Sequence, residues 1–254
     1  MARTLCAVSR LSRVTGMGLY FRQLLSGQDY AVGDPVATQM VNFSYLIGDD
    51  ETREAVVVDP AYSPDELLAT LDADGMRLTG VLATHHHPDH VGGTMMGFDL
   101  VGVAQLIGSH PVPIHVQRAE ADYVTRVTGL SATDLTPHDH DDVVEVGNVA
   151  IRLLHTPGHT PGSQCFLVPG PDGDRLVAGD TLFLQGCGRT DFPGGDTAQM
   201  YHSLQQLAAL KGNPTVYPGH RYSPASNAPL DDVRATNTVY RATSAEQFVA
   251  AFGS

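Results

Sequence analysis

The sequence predicts an α/β (α+β) fold in which strands form a mixed sheet sandwich and helices cover its outside. Short apolar runs rich in Val, Leu and Ile recur in pairs along the 254-residue chain, which is typical of β-strands and hairpins. Between them lie segments with a single apolar stripe, which is typical of helices that pack on a sheet. The chain contains no short-period repeat, low-complexity tract or obvious linker. We therefore expect one domain at residues 18–254, with short C-terminal helices, after a poorly ordered leader at residues 1–17.

The first half of the chain alternates strands and a helix. Strands are predicted at residues 19–25, 40–48, 55–58 and 79–83. A helix is predicted to begin at Ser63, because a capping serine is followed by Pro64 and, three residues on, by Glu66. Leu67, Leu68 and Leu71 form its buried stripe, and Gly75 ends it. Residues 92–108 are expected to form a helix or a loop over the end of the fourth strand.

The second half contains two predicted hairpins. They occupy residues 143–154 and 164–178, where apolar runs flank Gly-rich turns. A strand is predicted at residues 114–116, helices at 119–127 and 197–210, a last strand at 215–217 and one or two short helices after His220. Residues 136–142 are interpreted as a polar loop. Its His138 and His140 could bind a metal, but such residues more often belong to a solvated loop.

Charge and cysteine content exclude several classes of protein. Asp and Glu number 28 against 15 Lys and Arg, giving a formal charge of −13. This acidity argues against a nucleic-acid or membrane-surface binder, because both need basic patches. No apolar run approaches the roughly 20 residues of a membrane helix. Cys6, Cys165 and Cys187 show no Cys-x-x-Cys spacing, so we expect a reducing, cytoplasmic location without a disulfide framework.

The segment Thr84–His90 places four histidines and an aspartate directly after an apolar run. On an extended backbone His85 and His87 point to the same side and His86 points away. Pro88 prevents a simple helical continuation from His87. A single histidine at a strand end is usually structural. Packing alone does not require so many polar groups in one place, so the segment indicates a metal site.

Three further predicted strands end in a possible ligand. Residues 151–154 lead to His159, residues 176–178 to Asp180 and residues 215–217 to His220, each directly preceded by glycine. With His85, His87, Asp89 and His90 this makes seven ligands, too many for one tetrahedral zinc. We expect two divalent ions, zinc with iron or manganese as alternatives, bridged by the carboxylate of Asp180.

These segments resemble the metallo-β-lactamase superfamily. The resemblance rests on His-x-His-x-Asp-His at 85–90, Pro-Gly-His at 157–159, Gly-Asp at 179–180 and Pro-Gly-His at 218–220. It implies an αββα sandwich with metals at the sheet edges. It further implies that one metal is held by His85, His87 and His159, the second by Asp89, His90 and His220, and that Asp180 bridges them.

Residues 186–195 resemble the glyoxalase II-like branch of this superfamily. The portion Gly-Arg-Thr-Asp-Phe, residues 188–192, is particularly similar to persulfide dioxygenases and small bacterial glyoxalase II relatives. Typical glyoxalase II proteins hold glutathione with a substantial helical C-terminal domain. The residues after His220 are fewer than such a domain contains, which is a departure from that pattern.

The favoured hypothesis is hydrolysis of a thioester of a low-molecular-weight thiol, as by a hydroxyacylglutathione hydrolase. Zinc lowers the pKa of bound water to about 7, which makes hydroxide available for attack on the carbonyl. Asp89 and Asp180 would act as the catalytic carboxylates that orient this water. The substrate-binding candidates are polar or aromatic residues of the later segments: Arg189, Tyr201, Tyr217 and Tyr222.

Three alternatives remain open. One Fe(II) held by His85, His159 and Asp180 would be a two-His, one-carboxylate site suited to persulfide dioxygenation. A non-catalytic metal-binding module is less compatible with a complete ligand set, and a nuclease is less compatible with the acidity. We expect a small thiol-derived substrate and no nucleic-acid or membrane partner, and the chain is compatible with a homodimer. Cys187 lacks a base partner, so we interpret it as a packed residue.

Overall fold

The computed structural model describes residues 18–253. The expected leader at residues 1–17 lies outside the described residues. The strands are β1 (Leu19–Leu25), β2 (Phe43–Asp49), β3 (Glu54–Val58), β4 (Arg77–Leu82), β5 (Gly93–Met95), β6 (Phe98–Leu100), β7 (Ile114–Gln117), β8 (Leu135–His138), β9 (Val143–Val146), β10 (Val149–His155), β11 (Gln164–Val168), β12 (Arg175–Gly179), β13 (Thr215–Pro218) and β14 (Ala228–Pro229).

Eight α-helices alternate with these strands in the described chain. They are α1 (Pro35–Met40), α2 (Pro64–Ala73), α3 (Pro88–Val91), α4 (Val103–Ser109), α5 (Ala121–Thr128), α6 (Thr197–Ala208), α7 (Leu230–Thr236) and α8 (Ala245–Phe252). Short 3₁₀ helices occupy Arg118–Glu120, Ala132–Asp134 and Thr238–Arg241. None of the helices in residues 18–253 has the length and apolar character needed to cross a membrane.

Two six-stranded mixed sheets form the centre of the fold. The first has the order β1-β2-β3-β4-β7-β8 and the second the order β14-β13-β12-β11-β10-β9. Strands β3, β4, β7 and β8 run parallel to one another, as do β12 and β13, while the other pairs are antiparallel. The carboxyl ends of β3 and β4 therefore meet at one edge of the first sheet, and those of β12 and β13 at one edge of the second.

Three apolar clusters hold four layers together. The sheets pack face to face through residues such as Ile47 and Val56 on one side and Ile151 and Phe166 on the other. Helices α2, α4 and α5 cover the outer face of the first sheet, and α6, α7 and α8 cover that of the second. This αββα arrangement confirms the predicted fold class, since each sheet buries one face against its partner and the other against helices.

Three local predictions differ from the structure. Residues 40–48 were expected to be one strand, but Met40 ends α1, whose start is fixed by the Asp34 carboxylate accepting from the Val36 and Ala37 amides at 2.8 and 3.0 Å. Residues 92–108 form the β5–β6 hairpin and α4 instead of one helix or loop. Residues 135–138 form an edge strand parallel to β7, although its sequence is polar.

The α2 prediction is confirmed, but its expected cap is absent. The Ser63 side chain makes no capping hydrogen bond to the helix backbone. Its hydroxyl donates to Glu66 Oε1 at 3.0 Å instead, while Glu66 Oε2 accepts from the Ala31 amide at 3.0 Å. Glu66 therefore ties the start of α2 to the loop before α1.

Candidate metal centre

The seven histidines and aspartates predicted as ligands come together where the two sheet edges meet. His85 and His87 follow β4, and Asp89 and His90 lie in α3. The others come from the second sheet, His159 from the β10–β11 loop, Asp180 directly after β12, and His220 after β13. Three groups have ligand atoms within 4.8 Å of one another: His85, His87 and His159; His85, His90 and Asp180; and Asp89, His90 and His220. Each of these groups could hold a metal ion.

The hydrogen bonds of the histidines fix which ring nitrogen faces the site. His159 Nδ1 donates to the Arg189 carbonyl at 2.6 Å and His220 Nδ1 to the Met40 carbonyl at 2.8 Å. His90 Nδ1 contacts the Asp59 carboxylate at 2.8 Å. Since all three acceptors take the Nδ1 proton, Nε2 is the ring nitrogen that faces the centre in each of these histidines. Metal-binding histidines are held by such partners.

The pKa values of the histidines are shifted in opposite directions in different parts of the site. Burial and the neighbouring histidines lower the pKa of His85 well below its usual value and that of His87 to about 3. The rings of His85 and His87 are therefore neutral. His87 Nδ1 lies 3.1 Å from His85 Nε2 and 2.9 Å from His159 Nε2, so lone pairs of ring nitrogens face one another. Burial opposes protonation of His90, but the carboxylates of Asp89 and Asp180 raise its pKa to about 10. Facing lone pairs beside two carboxylates fit a bound cation.

Asp180 carries an unpaired oxygen at the middle of the cluster. Its buried Oδ1 has no hydrogen-bond partner among the described residues. The oxygen lies 3.5 Å from His90 Nε2, and Oδ2 lies 3.3 Å from His220 Nε2. Gly219 makes this approach of the two strand ends feasible, because a Cβ at that position would lie 2.2 Å from Oδ1. An orphaned buried carboxylate oxygen is the donor atom that a metal ion would use.

Asp59 organises two of the histidines and was not identified from the sequence. Asp59 Oδ2 accepts from the Thr84 hydroxyl at 2.6 Å as well as from His90. Because the Thr84 hydrogen is used in this bond, its oxygen must accept from His85 Nδ1, 2.9 Å away. The position of Asp59 could have indicated this role, because it directly follows β3, and β3 runs parallel to β4, the strand that leads to the histidines.

Asn42 was also missed. Its Nδ2 donates to Asp89 Oδ2 at 3.1 Å, and its Oδ1 accepts from the Tyr62 hydroxyl at 2.8 Å. Asn42 thereby fixes the orientation of the Asp89 carboxylate. No sequence signal distinguished this asparagine from an ordinary residue before a strand.

A cavity of about 870 Å³ opens onto the cluster. Of the four residues predicted to bind substrate, Arg189 and Tyr222 line it, and the Tyr222 ring stacks on His220 at 4.8 Å. Tyr217 instead packs 4.8 Å from Phe21 between the sheets, and Tyr201 packs 5.8 Å from Phe248 beneath α8. The structure therefore does not bring Tyr201 and Tyr217 to the cavity.

Cys187 also lines the cavity. Burial raises the pKa of its thiol to about 12, which does not suit a thiolate nucleophile. His138 lies on β8 and contacts His115 at 2.9 Å, and His140 lies in the following loop. Neither histidine belongs to a group of potential ligands in the part of the chain that the structure describes.

Comparisons with known proteins agree with this geometry. The model of the metallo-β-lactamase superfamily matches residues 37–220. A mitochondrial persulfide dioxygenase of Bos taurus is 32% identical over 246 residues, covering 94% of this chain and 84% of its own. A hydroxyacylglutathione hydrolase of Alkalilimnicola ehrlichii is 37% identical over 187 residues, covering 73% of this chain and 63% of its own.

Solved structures give the same result. The crystal structure of the protein ETHE1 from Myxococcus xanthus superposes with a TM-score of 0.72 at 30% identity, covering 92% of this chain and 89% of that one. Both the predicted resemblance and the αββα fold are thus confirmed, and a hydrolase and a dioxygenase both occur among the similar proteins. The chain belongs to the metallo-β-lactamase superfamily.

Proposed function

We propose that this protein is a persulfide dioxygenase that uses one iron ion held by His85, His159 and Asp180. The proposal reverses the order in which the sequence ranks hydrolysis and dioxygenation. The observation that supports it is the position of residues 188–192, the segment whose sequence resembles persulfide dioxygenases and small bacterial glyoxalase II relatives. This segment lies directly on the proposed iron ligands.

Two contacts join the segment to the proposed iron ligands, and a third joins it to His87. The Arg189 carbonyl accepts from His159 Nδ1 at 2.6 Å. A Cβ at Gly188 would lie 2.0 Å from the Asp180 carbonyl oxygen, so only glycine allows this approach. The Phe192 ring lies 5.6 Å from that of His87. Residues 188–192 therefore shape the coordination site and the cavity wall beside it.

The extent of similarity supports the same choice. The similarity to the bovine persulfide dioxygenase covers 94% of this chain, whereas that to the hydroxyacylglutathione hydrolase covers 73%. The wider match includes parts of this chain that the hydrolase match leaves out. The greater coverage of the dioxygenase match carries more weight than the slightly higher identity of the shorter hydrolase match.

The proposed reaction is RSSH + O₂ + H₂O → RSH + SO₃²⁻ + 2H⁺. The persulfide is oxidised, and dioxygen accepts the four electrons. Iron held by two histidines and one carboxylate would leave positions open for dioxygen and a sulfur ligand. Burial raises the pKa of the Tyr222 hydroxyl, so it stays protonated and can donate to an anionic persulfide. Met40 and Phe183 line the same cavity.

Thioester hydrolysis is the second candidate, and one observation favours it. Asp89, His90 and His220 form a complete second group of potential ligands beside the first. In that case two divalent ions would be bound, Asp180 would bridge them, and Asp89 and Asp180 would orient the attacking water.

The two candidates can be separated on one purified sample. Metal content is measured by mass spectrometry, dioxygen uptake and sulfite release with glutathione persulfide and benzyl persulfide, and hydrolysis with S-lactoylglutathione. We expect one iron per chain, sulfite formed in step with dioxygen consumed, and no hydrolysis. Two zinc ions with thioester hydrolysis and no dioxygen uptake would reject the dioxygenase.

A further inference from the structure

We infer that the thiol part of the substrate is apolar and lacks the two carboxylates of glutathione. The inference rests on the proposed function, because it concerns the substrate of the same cavity. Three features of the cavity carry it: the side chains of its wall, the hairpin at its mouth and its shortage of cations.

The wall of the cavity is formed largely by apolar side chains. Besides the metal-site residues, it contains three methionines, two phenylalanines and a valine: Met40, Met95, Met96, Phe183, Phe192 and Val127. Methionine side chains adapt to ligands of irregular shape, and aromatic rings bury large areas of an apolar ligand. Such a wall stabilises a hydrocarbon or aromatic group more than a charged tripeptide.

The turn of the β5–β6 hairpin contains one of these methionines at a position where other residue types are preferred. Met96 and Gly97 connect the two strands, and both have positive φ, at 52° and 84°. Turns of this kind favour Asn or Asp before Gly, because these residues adopt the left-handed conformation more readily. Met96 instead stands there with 87% of its surface exposed, at the cavity mouth. A strained and exposed apolar residue at this position indicates contact with an apolar ligand.

The cavity offers little to bind carboxylates. Arg189 is the one Lys or Arg that lines it within residues 18–253. Its guanidinium is already bound to both oxygens of Asp191, at 2.9 and 2.5 Å, and lies 4.5 Å above the Phe192 ring. Glutathione carries two carboxylates, which bind most strongly to free guanidinium groups. Glutathione would bring these two carboxylates, with a single ammonium group, into a cavity whose base already contains Asp89 and Asp180.

The test compares the binding of two thiols to the iron-loaded protein by calorimetry, with benzyl mercaptan as the apolar probe and glutathione as the charged one. Both compounds present a thiol to the metal, so the difference between their Kd values reports on the group that carries the thiol. We expect benzyl mercaptan to bind at least about tenfold more tightly, and KM to be lower for benzyl persulfide than for glutathione persulfide.

Met96→Asn isolates the contribution of the hairpin. Asparagine suits the turn, so the variant is expected to fold. It should raise the Kd of benzyl mercaptan and the KM of benzyl persulfide about four- to fifteenfold, the effect of exposing one or two methylene groups. The Kd of glutathione should change less than that of benzyl mercaptan. The matched control is Val32→Asn, an exposed turn residue that does not line the cavity.

The outcomes separate this inference from the proposed function. Equal or tighter binding of glutathione, or no effect of Met96→Asn on benzyl mercaptan, overturns the apolar substrate. If neither persulfide supports dioxygen uptake, the dioxygenase proposal fails, but the binding comparison still decides the nature of the thiol. Faster turnover of glutathione persulfide with tighter glutathione binding would keep the dioxygenase and reject the inference.

Discussion

The carboxylate of Glu120 connects His86 to Gly162. Its Oε1 accepts from the amide and from Nδ1 of His86, at 2.8 and 2.5 Å, and its Oε2 accepts from the Gly162 amide at 2.7 Å. His86 lies between His85 and His87, and Gly162 follows His159 by three residues. One buried side chain thus joins the two loops that carry the first group of potential ligands. His86, which points away from the metal centre, serves this connection.

Loss of this carboxylate should destabilise the protein and weaken metal binding. Glu120→Ala leaves three buried donors without an acceptor, so we expect the free energy of unfolding to fall by about 3–5 kcal/mol. In protein that still folds, metal affinity should fall about 10- to 100-fold, because the two loops are no longer held together. Urea denaturation and metal titration measure the two effects. Glu145→Ala, an exposed site on β9, is the matched control, and an equal response of both variants would contradict the role of Glu120.

The sequence predicts the residues that lie at strand ends better than those that hold them in place. His159, Asp180 and His220 follow apolar runs, and the ends of strands in neighbouring positions meet in space, so their convergence could be inferred. Asp59 and Glu120 make their decisive contacts with residues 25 to 42 positions away. Such pairings depend on loop conformations that periodicity does not determine.

Local signals also explain errors in the predicted fold. Asp34 starts α1 with a strong cap, yet Met40 and Val41 at the end of this helix are apolar like the strand that begins at Phe43. Strand β8 is polar because it lies at the edge of its sheet, where alternation with buried residues is weak. The positions of Tyr201 and Tyr217 could not be inferred, because the tyrosine side chain packs in a core as readily as it lines a cavity.

Asp59 should be required for the orientation of His85 and His90. Asp59→Ala removes the acceptor of His90 Nδ1 and of the Thr84 hydroxyl, so both rings can rotate or change tautomer. We expect metal affinity to fall about 10- to 100-fold, measured by competition with a chromogenic chelator. Asp72→Ala, at a solvent-exposed position of α2, is the control. Unchanged affinity in Asp59→Ala would show that the histidines are held by other contacts.

His115 should make stability depend on pH. Burial and the neighbouring His138 lower the pKa of His115 to about 4, against about 6.5 in an unfolded chain. Between these values the unfolded state binds more protons, so stability falls as the pH is lowered from 6.5 to 4. The contribution is about 3 kcal/mol at most. Urea denaturation of wild type and His115→Gln at several pH values isolates it, because the metal-site histidines titrate in both proteins. The exposed His110→Gln is the control, and identical pH profiles for wild type and His115→Gln would refute the assignment.

Cys187 should be unreactive although it lines the cavity. Burial raises the pKa of its thiol to about 12, so the thiolate fraction at pH 8 is about 10⁻⁴. In a Cys6→Ser background, iodoacetamide should label the folded protein far more slowly than the urea-unfolded protein, as followed by mass spectrometry. Cys187→Ala should retain metal binding and turnover. Rapid labelling at Cys187, or loss of turnover in Cys187→Ala with metal still bound, would instead show that Cys187 acts as a nucleophile.

Asp89 and Asp180 should respond differently to removal of their charge, and the difference distinguishes one metal from two. Asp180→Asn should lower the metal content under either function, because this carboxylate is a ligand in both. Asp89 belongs only to the second group of potential ligands, with His90 and His220. If a single iron is held by His85, His159 and Asp180, Asp89→Asn should keep one metal per chain. If two metals are bound, it should reduce the content from two to one. Metal analysis of the two variants beside wild type, with circular dichroism to verify folding, decides between these cases without any measurement of activity.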